Sequence, residues 1–158
     1  MEQLISETTS ETTPSDQPTE YQLLPANHCN FLRTMSIVTF MGGLYGLKKK
    51  QYMMTMCPFV VVFTSLNYWR KPEYGVRRNI DITAVITGVS LYYYTSFKSN
   101  QQGMYGTTMC ICAGLYGLSW CLYKKGYKWS STISHSVIYV ALTAANALLY
   151  NGLSELGL

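Results

Sequence analysis

Three side chains in this sequence could share one piece of chemistry: Ser65, Asp81 and His135. A hydroxyl, a carboxylate and an imidazole brought to one place can activate water or help to hold a metal ion. Each stands within or beside a long uncharged run, where a polar group is costly and calls for an explanation. Ser65 lies one turn before the end of the run Tyr52–Trp69. Asp81 opens the run that follows, and His135 lies near the start of the last one. Each residue also has a plainer role. Asp81 suits the N-cap of a helix, with Arg77 and Arg78 nearby to neutralise it. Ser65 can bond back to a carbonyl of its own helix, and His135 can sit at an interface or bond across helices.

The elements that must position these groups follow from where the charges stand. Only 13% of the 158 residues are charged, about half the usual share. Five of the eight acids (Glu2, Glu7, Glu11, Asp16 and Glu20) fall in the first twenty residues, and all twelve Lys and Arg come later. Residues 1–27 are rich in Ser, Thr, Glu, Pro and Gln, a composition that buries too little surface to order itself. They are expected to form a disordered acidic cytosolic tail. The remainder, 28–158, is predicted to be an all-α integral membrane helical bundle of about five transmembrane helices. The candidate spans are 31–47, 52–69, 82–97, 104–123 and 133–150. Each approaches the ~17–25 residues that cross a hydrocarbon core of ~30 Å. Several are short, which suits a thinner endomembrane such as the endoplasmic reticulum. A soluble helix would need a polar face at helical spacing, and Tyr52–Trp69 and Met104–Tyr123 show none. The five cysteines are scattered without paired spacing and imply no disulfide framework.

The basic residues sit between the spans. With five crossings, Arg33, Arg70, Lys71, Arg77, Arg78, Lys124, Lys125 and Lys128 collect on the N-terminal side, and Lys48–Lys50 and Lys98 on the other. Positive charge inside therefore places the N-terminus in the cytosol. Arg70, Lys71, Arg77 and Arg78 fix this topology and could also attract anionic lipid head groups. The same alternation brings Ser65, Asp81 and His135 to one membrane face. The pentapeptide GLYGL occurs at 43–47 and again at 114–118. Gly42 with Gly46, and Ala113 with Gly117, set small residues four apart, which lets helices approach closely.

The run TSLNYWRKPEYGVRRNIDI together with the later ISHSVIY resembles the CREST superfamily of membrane hydrolases, which includes alkaline ceramidases and progestin and adipoQ receptors. The resemblance implies catalytic roles for Ser65, Asp81 and His135, with His135 a ligand of a zinc cofactor, and a substrate that is a lipid amide or ester. That family's pattern has further histidines one turn after the serine and one turn after the last-helix histidine. Here those positions hold Trp69 and Tyr139, and seven spans are reduced to five, so the resemblance implies a metal-free relative.

The function expected from the residues is that of a small multi-pass membrane protein without catalysis of its own, in a structural or interaction role. Its partners would be the lipid bilayer, other membrane proteins or further copies of itself, with no cofactor. A divergent metal-dependent hydrolase is the alternative, and a small-solute carrier finds few polar groups in the spans to support it. The basic clusters belong to no nucleic-acid module, so no nucleic acid is expected as a partner.

Overall fold

A computed structural model describes residues 23–157, and the acidic segment 1–22 lies outside the described residues. The chain is all-α. Its helices are α1 (Ala26–Lys48), α2 (Tyr52–Arg70), α3 (Val76–Ser96), α4 (Gln102–Lys124) and α5 (Lys128–Glu155), and no strand occurs among the described residues. The uncharged runs of the sequence coincide with these helices, because backbone groups in an apolar stretch have no better partner than each other. Among the described residues one helix, α5, is long and apolar enough to cross a membrane. The other four are diluted by tyrosine, threonine, glycine, amide and basic residues.

Helix starts differ from the expected ones. Helix α3 begins at Val76, straight after Gly75, whose φ of 144° is open to glycine and strained for other residues. Arg77 and Arg78 are therefore already helical, and Asp81 is the sixth helical residue. This corrects the capping role considered for Asp81: the carboxylate lies beyond the first turn and cannot reach the free N–H groups there. Likewise α1 takes in Ala26 and Asn27, and α5 starts at Lys128.

The helices pack in the order α3–α2–α1–α5–α4, an open ring in which α3 and α4 scarcely touch. Glycines of α1 set the tight side of this ring. The backbone at Gly42 lies under the Thr143 methyl group, Gly43 under the ring of Phe59, and Gly46 between Thr55 and the ring of Tyr150. The expected close approach thus occurs on α1. On α4 it does not: Ala113 is exposed, and Gly114 and Gly117 face open space.

Two layers fill the inside. One end holds Leu32, Tyr68, Trp69 and Tyr139, and the other holds Met54, Tyr92, Tyr105, Leu149 and Tyr150. Pro58 explains how the second layer is tied together. It sits inside α2 without an N–H, so the Met54 carbonyl one turn earlier loses its helical donor. The Tyr92 hydroxyl supplies a replacement, donating to that carbonyl at 2.8 Å. Tyr150 then donates its own proton to the Tyr92 oxygen. Tyr92→Phe keeps the ring but strands a buried carbonyl, a loss of about 1–3 kcal/mol. Tyr150→Phe leaves that carbonyl satisfied and is expected to cost less, and reversible denaturation of the two variants checks the order.

The starts of α1 and α5 are clasped together at the other rim. Thr132 donates its proton to the Lys128 carbonyl at 2.9 Å, so His28 Nδ1, 2.9 Å from Thr132 Oγ1, must be the donor in their contact. The His28 ring lies 4.2 Å from that of Trp129. Burial, and secondarily the charge of Lys128, hold the His28 pKa below its ordinary value.

Candidate functional site

The site lies at the end of the ring where α2 finishes and α3 and α5 begin. Pro72 and Gly75 end α2 and turn the chain back, which lays the second turn of α3 against the last turns of α2. Ser65 is wholly buried, and its hydroxyl donates to Asp81 Oδ1 at 2.7 Å. Thr64 Oγ1 lies 2.9 Å from the same oxygen and 3.0 Å from the Val61 carbonyl, with one proton to share between them. Asp81 is 9% exposed. These hydroxyls answer one carboxylate oxygen with neutral donors, and no Lys or Arg among the described residues pairs with it: the ion pair that is described joins Lys71 to Glu73 at the surface, 2.9 Å apart.

His135 is the eighth residue of α5. Its ring packs edge-on to Trp69, with centroids 5.4 Å apart, and against Tyr139 and Tyr116. Ring packing accounts for its contacts among the described residues, and the neighbouring Trp69–Tyr139 hydrogen bond passes it by. Asp81 and His135 share two spaces. A cavity of about 490 Å³ lies among α2, α3, α4 and α5 and is walled chiefly by apolar side chains. A smaller vestibule of about 130 Å³ leads outward past Tyr68, Trp69, Tyr74, Trp120 and Tyr123. Asp81, Ile82, Tyr116 and His135 border both and so form the throat between them.

The structure therefore brings together the three residues singled out in the sequence, but not as equals. Asp81 and His135 face the cavity, whereas Ser65 borders neither space and stands behind Asp81, fixing its carboxylate. Of the basic cluster, Arg70, Lys71 and Arg77 are exposed, and Arg78 borders the vestibule with its guanidinium 5.3 Å from the Tyr74 ring centre. Thr64 was missed by the sequence reading, and its position next to Ser65 is the signal that could have found it.

The donor set does not fit a zinc ion. Such a site needs about three protein ligands, and no group of three His, Cys, Asp or Glu among the described residues could hold a metal. The positions where the resemblance calls for further histidines are occupied by a bonded pair instead. Trp69 Nε1 donates to the Tyr139 hydroxyl at 2.9 Å, filling that space with an indole and a phenol. What the throat offers is a carboxylate that accepts, an imidazole, and a wall of aromatic rings. No family model, curated protein or solved structure matches the chain.

Proposed function

We propose that this chain is an integral membrane protein of five spans, with its N-terminus in the cytosol and a structural or interaction role without catalysis of its own. Its inverted polarity carries this reading. Large apolar side chains such as Ile37, Met41, Phe63, Ile86, Ile111 and Leu148 point outward, while Ser36, Thr55, Ser65, Ser96, Ser119 and Thr132 are buried. Water would favour the reverse arrangement. In lipid, association instead relies on small residues, close packing and hydrogen bonds between helices. The shortest helix, α2, has 19 residues, or about 28 Å at ~1.5 Å per residue, close to the thickness of a hydrocarbon core.

The rims support the same reading. Lys49 lies over Tyr45, Lys98 over Tyr94, Lys124 over Trp120 and Arg78 over Tyr74. All four pairs fall near helix ends, where interfacial aromatics and snorkelling cations belong. Against a hydrolase stand the Trp69–Tyr139 pair and the retreat of Ser65 behind Asp81. For it stands the convergence of Asp81 and His135 on one cavity.

Alkaline carbonate extraction of membranes from expressing cells tests the membrane reading, and the protein is expected to stay in the pellet. Release into the supernatant overturns it. A glycan-acceptor tag is expected to be modified at the C-terminus and left unmodified between Lys71 and Gly75, and the reverse pattern overturns the orientation.

A further inference from the structure

We infer that the interior cavity binds a single-chain lipophilic ammonium, with its charge at Asp81 and its alkyl chain lying along α3. The occupant is argued from charge, lining and length together. Asp81 presents a buried carboxylate to the cavity, with neutral hydroxyls on one oxygen and no basic partner among the described residues. A buried carboxylate without a counter-ion is costly to ionise alone, and a cation that arrives with its own apolar body stabilises its charged form. Of the Lys and Arg side chains, Arg78 lines the vestibule and not the cavity, and its guanidinium lies over the Tyr74 ring; the imidazole of His135 borders both spaces.

Aromatic side chains line both spaces that Asp81 borders. Tyr116 and Tyr139 line the cavity side, and Tyr68 and Trp69 line the vestibule side. Rings around a cation attract it through their quadrupoles, most strongly where water is excluded. Below the throat the walls are apolar, formed by Val61, Val85, Ile86, Met109, Ile138 and Leu142. On α3 the lining runs from Asp81 to Tyr92, eleven steps or about 16 Å of helix, which is the reach of a dodecyl chain. The cavity volume of about 490 Å³ falls in the ~300–1,000 Å³ range of small-molecule sites.

Entry is provided by the seam where α3 and α4 scarcely touch. Ile86 and Ser90 of α3 and Ala113 and Tyr116 of α4 line the cavity and are also exposed, so the cavity reaches the outer surface between them. This route rests on the membrane reading, in which that surface is lipid. The site itself does not need it. An anionic head would meet Asp81 with repulsion, and a neutral head would leave the carboxylate uncompensated.

The test is native mass spectrometry of the full chain released from maltoside micelles, titrated with dodecylammonium, dodecanol, dodecyl sulfate and dodecylphosphocholine. One equivalent of dodecylammonium is expected to bind more tightly than the other three. Asp81→Asn is expected to weaken it at least about tenfold, Asp81→Glu to retain most of it, and Arg78→Gln to tighten it by removing repulsion. Equal binding to a helical Asp81→Asn variant overturns the inference. So does dodecanol or dodecylphosphocholine binding as tightly as the amine. Should Asp81→Asn fail to fold, the head-group series on the unaltered protein decides alone. Carbonate extraction decides the membrane reading separately, so the two can fail independently.

Discussion

Leucine at position 46 is expected to abolish the folded bundle, at a cost of about 3 kcal/mol or more, while leucine at position 117 leaves it within about 0.5 kcal/mol of the parent. Both glycines sit in copies of the same pentapeptide, so propensity and local sequence nearly cancel in the comparison. Their surroundings do not. At Gly46 even a single added carbon would come within 2.8 Å of the Tyr150 ring and would also collide with the Thr55 methyl group. Relief would require α1 to part from α2 and from α5 at once, and that movement would drag Tyr150 away from Tyr92. Gly117 has open space where a side chain would go. Monodispersity on gel filtration and helicity along a denaturant titration measure the contrast. A Gly46→Leu variant as stable as Gly117→Leu would contradict this packing.

Trp69→Ala is the second large loss expected, about 3–5 kcal/mol. The indole is 6% exposed, lies 4.6 Å from the Tyr68 ring centre and 5.4 Å from that of His135, and gives its N–H to Tyr139. Truncation removes the contacts on every side and leaves the Tyr139 oxygen without its donor. Tyr139→Phe removes the hydrogen bond alone and is expected to cost about 1 kcal/mol. The remainder is packing, which persists even where the surroundings are hydrocarbon, because a void deprives its walls of dispersion contacts in any solvent. A denaturation series with the two single variants and the double variant separates these parts. If Trp69→Ala cost no more than Tyr139→Phe, the indole would be a hydrogen-bond donor and little else.

Helix positions were legible in the sequence because uncharged runs are bounded by basic clusters, Pro72 and several glycines. Helix starts were not. Hydropathy marks where charge ends, whereas a helix begins where the backbone can first close its hydrogen bonds, and at Gly75 those points lie several residues apart. That difference removes the capping role weighed for Asp81 beside its place in the site, and leaves an inward-facing carboxylate. The meeting of Ser65, Asp81 and His135 at one end followed from counting alternating spans. The pairing of Trp69 with Tyr139, 70 residues apart, and of Tyr92 with Tyr150, 58 apart, leaves no local trace. The second GLYGL shows the same limit: identical residues packed on α1 and unpartnered on α4, because the neighbours come from elsewhere in the chain.

The ring order also sets a timetable for biosynthesis. Two of its contacts join α1 to α5: His28 to Thr132 and Tyr45 to Asn151 lie 104 and 106 residues apart. Until α5 emerges from the ribosome, α1 and α2 can pair, but the inner face of α1 has no α5 to cover it, and the cavity has no far wall. Helix α5 is thus the keystone. A chain cut short after α4 keeps most of its apolar residues yet loses the interior, and quality-control machinery that watches for stranded polar groups would meet it as an orphan.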